Sequence, residues 1–288
     1  MTGRVVVLTG ASAGIGAAAA ARLGELGATV VPVGRNRARL NAVAERVRAA
    51  GGTPGEPQVA DFASLAEVRT LAERLLASHE RIHVLVNNAG TVATGRHVTA
   101  DGHGKTFEVN HLAPFLLTNL LLDRLRSSSP ARVVTTASSE HFRGRLSIDR
   151  LDRDERRRGV LSAYRDSKLA NVLFTRELAR RLKGSGVVAN ALHPGGVRTD
   201  LGRDLPLVMR LGWKVFSRTG ITPERGAQTL VYLAASEEAA ATSGGYFVNC
   251  RPAKIAPQAA DDGLAVAMWR WSEHAIGLAA EPSEEAVA

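Results

Sequence analysis

The sequence predicts a doubly wound parallel α/β sheet of about seven strands, with helices on both faces. Three observations carry this expectation. Short apolar runs at residues 5–8, 27–33, 57–60, 84–86, 132–136 and 246–249 alternate with longer helical runs, and such alternation winds a parallel sheet on both faces. The first run feeds a glycine-rich turn that opens a helix. The 288 residues are 45% hydrophobic, with no internal repeat and no linker, so one domain over residues 1–278 is the economical reading, with a small acidic tail at 279–288 expected to be disordered.

Composition narrows the function classes. A lone cysteine, Cys250, excludes an internal disulfide and any multi-cysteine metal site, fits a reducing compartment, and is expected to be inert. The net charge of +9 comes from scattered Lys and Arg residues, apart from the run Arg153-Asp154-Glu155-Arg156-Arg157-Arg158, with little aromatic interleaving to stack bases. A nucleic-acid partner is therefore not expected, and a phosphate-bearing cofactor accounts for the balance as well. The chain opens on a strand with no leader of signal-peptide form, and the apolar stretch at 112–122 falls short of the roughly 20 residues that a membrane span requires. A cytoplasmic protein without a membrane anchor is the expectation.

Taken in order, residues 5–8 run into Thr9-Gly10-Ala11-Ser12-Ala13-Gly14-Ile15-Gly16 and an alanine-rich helix at 17–26. Strand, glycine turn and helix are the context of a dinucleotide-binding loop. Gly10 permits the tight turn, Gly14 lets backbone approach a pyrophosphate, and Gly16 lets the helix pack closely on the strand; with Ser12, Ala13 and Ile15 they bring the helix N-terminus to the anion. The second strand ends at Gly34-Arg35-Asn36-Arg37. A fold that prefers NAD places a carboxylate here for the ribose 2′-hydroxyl, whereas a guanidinium pairs the 2′-phosphate of NADP. Arg35, beside Asn36, is the expected contact, with Arg37 or Arg39 as a second, unless these arginines merely open the solvated helix at 37–50.

The third strand (57–60) leads to Asp61-Phe62, a helix at 64–79 and the apolar strand 84–86. That strand runs into Asn87-Asn88-Ala89-Gly90, where small residues let a ligand lie close to the backbone. An apolar helix at 112–125 precedes the strand at 132–136. Tyr164 and Lys168, at i and i+4, share a helix face at the start of a helical run. A cation beside a phenol favours the phenolate, lowering a pKa ordinarily about 10, and a tuned tyrosine serves as general acid or base. A helix at 223–235, the strand at 246–249 and a helix at 264–278 close the chain.

Thr9 to Gly16, Asn87 to Gly90, Val109-Asn110, Ser138, Tyr164 to Lys168 and Pro194-Gly195-Gly196-Val197-Arg198-Thr199 follow one another along nearly the whole chain. In that set the sequence resembles the short-chain dehydrogenase/reductase family, a single-domain Rossmann fold. Residues 164–182, Val109-Asn110-His111-Leu112 and Gly244 to Cys250 resemble its retinol-dehydrogenase-like branch, whose membrane-bound members carry an N-terminal anchor not expected here. The resemblance implies catalytic roles for Asn110, Ser138, Tyr164 and Lys168. Tyr164 would pass a proton to a carbonyl oxygen as hydride arrives, and Lys168 would lower its pKa and hold the nicotinamide ribose. Ser138, rather than its neighbour Ser139, would hydrogen-bond the substrate oxygen, and Asn110 would kink its helix and hold a water linking Lys168 to solvent.

The same resemblance implies cofactor contacts from Asn88, Ala89 and Gly90, adenine contacts from Asp61 and Phe62, and nicotinamide contacts from Val197 and Thr199. Pro194-Gly195 joins that group, although any strand-to-loop exit uses such a pair. Relatives commonly pair through the helices at 112–125 and from Tyr164 onward, which implies a homodimer or homotetramer. His141 and His193 sit in no ligand-like cluster and read as walls; no metal is expected. Substrate information should lie in the loops 140–161 and 202–222, at the carboxyl ends of strands. The second is densely apolar from Leu205 to Phe216, as suits either a lid over a lipophilic substrate or a helix packed on the core. The expected function is an NADPH-dependent ketoreductase interconverting a carbonyl and an alcohol on a lipophilic small molecule. A non-catalytic NADP-binding sensor or scaffold with the same fold is the alternative, against which the four intact catalytic positions argue.

Overall fold

The computed structural model describes residues 1–93, 97–149, 151, 159–197 and 220–278. The chain passes from β1 (Val5–Thr9) through α1 (Gly14–Glu25) to β2 (Thr29–Gly34), and through α2 (Arg37–Ala49) to two short strands, β3 (Thr53–Pro54) and β4 (Gln58–Val59). It then crosses back through α3 (Leu65–Ser78) to β5 (Val84–Asn87). A composite helical stretch follows: α4 (Lys105–Phe107), a π turn (Glu108–Leu112), α5 (Ala113–Leu120) and α6 (Leu122–Ser127). The remainder is β6 (Ala131–Thr136), α7 (Val160–Arg181), β7 (Val187–His193), α8 (Pro223–Ala235), β8 (Tyr246–Val248), β9 (Arg251–Pro252) and α9 (Asp262–Ala275).

The sheet order is β3-β2-β1-β5-β6-β7-β8-β9, with β4 also on β2, and every pairing is parallel except the β8–β9 hairpin. Val6 and Leu8 of β1 point into one core, shared with α1, α2 and α8, while Val7 points into the other, shared with α3, α5, α7 and α9. Strands covered on both faces read as unbroken apolar runs, which is why residues 5–8 show no alternation. The winding reverses between β1 and β5, and at such a reversal the carboxyl ends of the strands part into a crevice.

Among the described residues nine strands stand where about seven were expected: the six runs named above hold one each, and β3, β7 and β9 lie outside them. Thr53 and Pro54 pair with the start of β2, whereas Gln58 and Val59 pair with its end. β9 follows a tight turn: Asn249 and Cys250 both adopt positive φ, 51° and 60°, and link Val248 to its partner Arg251. Two left-handed residues in a two-residue loop make a type I′ hairpin, a geometry for which Asn is suited and Cys carries no usual signal.

Helix boundaries follow their caps. Ser64, Thr222 and Asp261 accept bonds from the N–H of Glu67, Arg225 and Leu264, and the helices begin one residue after each. The expected helix at 112–125 breaks at Leu121 (φ −94°, ψ 0°). The helix carrying Tyr164 starts at Val160, so it takes the end of the loop expected at 140–161, and Ser139–Arg143 at the other end winds into a 3-10 turn. On α9, Trp269 packs edge-on to Phe115 at 4.8 Å and stacks with Phe174 at 5.8 Å. The same chain thus covers these side chains on two helices through which relatives were expected to pair. Residues 202–219, Thr199 and the tail 279–288 lie outside the described residues.

Candidate active site

The crevice between β1 and β5 is a cleft of about 910 Å³. Gly10, Ser12, Ala13, Gly14, Ile15 and Gly16 form one side of its floor, and Asn88, Ala89 and Gly90 the other. Thr9 stitches the two together. Its hydroxyl donates to Val86 O (3.1 Å) and accepts from the N–H of Asn88 and of Ala89 (3.0 Å each), while Asn88 Nδ2 donates to Thr9 O (3.1 Å). Gly10 turns at φ +67°, and a Cβ there would stand 2.8 Å from Ala89 Cα. The backbones meet because no side chain intervenes. α1 begins from Ala13, which has no side chain to cap it, so its first N–H groups and positive dipole end suit a phosphate.

At the β2 end of the cleft, Arg35 and Arg39 line the wall and both are exposed. Arg37 is turned away, its guanidinium bonded to Pro57 O. The second guanidinium beside Arg35 is therefore Arg39. Asn36, also expected to touch cofactor, caps α2: its Oδ1 accepts from Arg39 N at 3.0 Å. The residue type that suits a ribose contact is also a preferred N-cap. Asp61 and Phe62 line the cleft, Asp61 Oδ1 accepting from Ala63 N (3.1 Å) and Phe62 anchored in the core.

At the other end stand Ser138, Tyr164 and Lys168, with His193, Pro194, Gly195 and Val197 opposite. Ser138 stands near enough to Tyr164 to favour its phenolate, and its Oγ accepts from Glu140 N (3.2 Å) as the cap of the 3-10 turn. Lys168 is 4% exposed; its Nζ donates to Thr136 O (3.0 Å) and lies 5.7 Å from the Tyr164 ring centre. Burial brings the Lys168 ammonium down to about 8. The Tyr164 phenol moves up rather than down: burial raises it, Ser138 opposes this, and the Glu140 carboxylate adds to it. The lowering expected from Lys168 does not prevail, because that ammonium is turned to a backbone carbonyl.

Asn110 does not line the cleft but stands behind it, on the π turn. Its side chain clamps the backbone of Thr91, accepting from Thr91 N (2.7 Å) and donating to Thr91 O and Ser167 Oγ (3.0 Å each). Its backbone carbonyl accepts from Asn171 Nδ2 (2.9 Å). Sequence reasoning overlooked Thr9 and Asn171. Thr9 had a signal in its place before the first glycine; Asn171 had none, since its partners lie up to 61 positions away.

The π turn also holds Glu108, fully buried, whose Oε2 accepts from the Thr99 hydroxyl and whose Oε1 has no hydrogen-bond partner among the described residues. Burial raises this carboxyl from 4.5 to about 7 against the Thr99 bond. An acid with a raised folded pKa binds its proton more tightly in the native state, so its penalty is absent below about 4.5 and grows until pH passes about 7. Glu108→Gln should flatten that decline, with a wild-type-minus-variant difference of about 2–3 kcal/mol accumulating across this interval. Urea midpoints of both proteins at pH 4.5, 6 and 7.5 would test it; equal slopes would refute it.

Among the described residues no group of three or more His, Cys, Asp or Glu side chains could hold a metal, and no helix is long and apolar enough to cross a membrane. A family model described as short chain dehydrogenase matches residues 4–207. Human retinol dehydrogenase 14 is 42% identical over 299 aligned positions, spanning 96% of this chain and 88% of its own. An uncharacterized protein from Mycobacterium paratuberculosis has a crystal structure of TM-score 0.77 and 34% identity, over 96% of this chain and 94% of that one. A protein from Beutenbergia cavernae, described as an NAD(P)-dependent gluconate 5-dehydrogenase with bound NADP, gives a TM-score of 0.71 and 32% identity over 86% and 96% of the two chains.

Proposed function

Because the chain belongs to the short-chain dehydrogenase family, and is thus an oxidoreductase acting on carbonyl and alcohol groups, we propose that it uses NADP(H) and acts on lipophilic small molecules with Tyr164 as general acid or base. One observation carries this reading: a single cleft brings Ser138, Tyr164 and Lys168 to one end and the glycine loop with Arg35 and Arg39 to the other. The glycine loop fits a pyrophosphate, since a Cβ at Gly10 would collide with the opposite wall and the α1 N-terminus faces the same space. Arg35 and Arg39 fit a 2′-phosphate. Bound there, the nicotinamide supplies the hydride. Ser138 holds the carbonyl oxygen where charge develops, Tyr164 delivers the proton, and Lys168 offsets the charge left on the phenol.

Val92, Val109 and Leu161 give the cleft an apolar wall, and human retinol dehydrogenase 14 is named for a lipophilic alcohol. Both support a lipophilic substrate. The test is consumption of NADPH, and separately of NADH, over a panel of lipophilic aldehydes and ketones that includes retinal. Turnover is expected with NADPH. Replacing Arg35 and Arg39 together by Ala should lower kcat/KM for NADPH about tenfold or more, as expected for lost charge-assisted bonds, and leave NADH little changed. A wild-type preference for NADH would overturn the assignment of both arginines.

A further inference from the structure

Thr136 O, at the end of β6, is the acceptor of the Lys168 ammonium (3.0 Å), and it is shared: Asn171 Nδ2 lies 3.3 Å from the same oxygen and 2.9 Å from Asn110 O. Asn171 follows Tyr164 at i+7 and Lys168 at i+3, on one face of α7. Both hydrogens of its amide therefore go to backbone carbonyls, one on the strand that leads to Ser138 and one on the π turn. Its Oδ1 lies 3.2 Å from His111 Nδ1, and His111 Nε2 lies 2.9 Å from Ser272 Oγ on α9. Asn171, His111 and Ser272 are all buried, none more than 2% exposed.

We propose that Asn171 is a positioning residue for Lys168, and that His111, itself oriented from α9 by Ser272, fixes the Asn171 amide in its working orientation. The inference rests on the roles given above to Tyr164 and Lys168. Turning the amide over would set Oδ1 against two carbonyl oxygens and the NH₂ group against an N–H. Three such contacts in a buried site are costly. The orientation depends on a neutral ring with its hydrogen on Nδ1, a tautomer assigned from its partners. Burial holds His111 down to about 4, so the ring is neutral near pH 7 and its Nε2 lone pair faces the Ser272 hydroxyl. That hydroxyl also reaches Met268 O (2.8 Å), so it shares its hydrogen between two acceptors. The Asn171 amide ties the end of β6 to the π turn at the height of Lys168. Without it, Thr136 O is free to shift, and the ammonium that bonds to it shifts too.

Two substitutions separate orientation from packing. His111→Asn keeps an N–H donor near the Nδ1 position but loses ring volume; His111→Leu keeps more volume but has no donor. Orientation predicts that His111→Asn retains most of kcat for carbonyl reduction, while His111→Leu and Asn171→Leu lose about tenfold or more, with smaller changes in substrate KM. A packing role predicts the reverse, with kcat following the melting temperature and His111→Asn the worse of the two. Wild-type turnover measured alongside carries the reductase reading by itself. With the wild type active, a kcat ranking that follows melting temperature, or an Asn171→Leu variant with unchanged kcat, would overturn the inference.

Discussion

Tyr164→Phe is expected to lower carbonyl reduction by about 10²–10⁴-fold, the usual contribution of a positioned general acid, while NADPH still raises the melting temperature by binding the folded state. The substitution keeps the ring and removes only the hydroxyl. Burial raises the phenol pKa, so Tyr164 holds its proton across the neutral range, the state a reductase needs. The group that titrates first is Lys168. With its ammonium brought down to about 8, wild-type kcat/KM should fall as pH rises beyond that value. A Phe variant that kept a tenth or more of the wild-type rate would mean that the proton comes from elsewhere, with Ser138 and His193 as the next donors along the cleft. Loss of both turnover and NADPH stabilisation would instead mark Tyr164 as a binding residue.

Much of this site was legible because its parts sit at strand ends. Residues 5–8 announce β1, and the glycines after it can serve only where the chain turns sharply. Arg35 marks the end of β2, and Asn87 to Gly90 the end of β5. The sheet order then brings these ends together, since β1 lies between β2 and β5. The Pro223–Ala235 helix was legible to the residue because Thr222 caps it and proline opens it.

What escaped reading depends on partners distant in sequence. β3 holds an exposed Thr53 and a half-buried Pro54, and only its pairing with β2 makes it a strand. No periodicity distinguishes a π turn from the helix around it, although that turn carries Asn110 and aims its side chain at Thr91. His111 and Ser272 meet across 161 positions.

Gly16→Ala should be the most damaging single-methyl change in the molecule's cofactor loop. A Cβ on Gly16 would stand 2.2 Å from Gly10 O, 2.9 Å from Gly10 C and 2.9 Å from Asn88 Nδ2. The first two contacts are backbone, and that backbone has nowhere to go. Gly10 is already pressed toward Ala89, where its own Cβ would be 2.8 Å from Cα, and Asn88 is held by its bond to Thr9 O. Relief must come from α1 moving off β1, which opens the floor of the cleft and loosens the alanine face from Ala17 to Ala20 in the core. Overpacking of this kind costs about 1–3 kcal/mol, and the displaced helix N-terminus should weaken NADPH binding about tenfold or more. Gly159→Ala is the control, since a Cβ there meets nothing within 4 Å among the described residues and the position needs no positive φ; as the N-cap of α7 it should lose some stability but keep wild-type NADPH affinity. A Gly16→Ala protein with wild-type stability and NADPH affinity would show that helix and loop do not approach so closely, and the assignment of this loop as the phosphate cradle would lose its geometric basis.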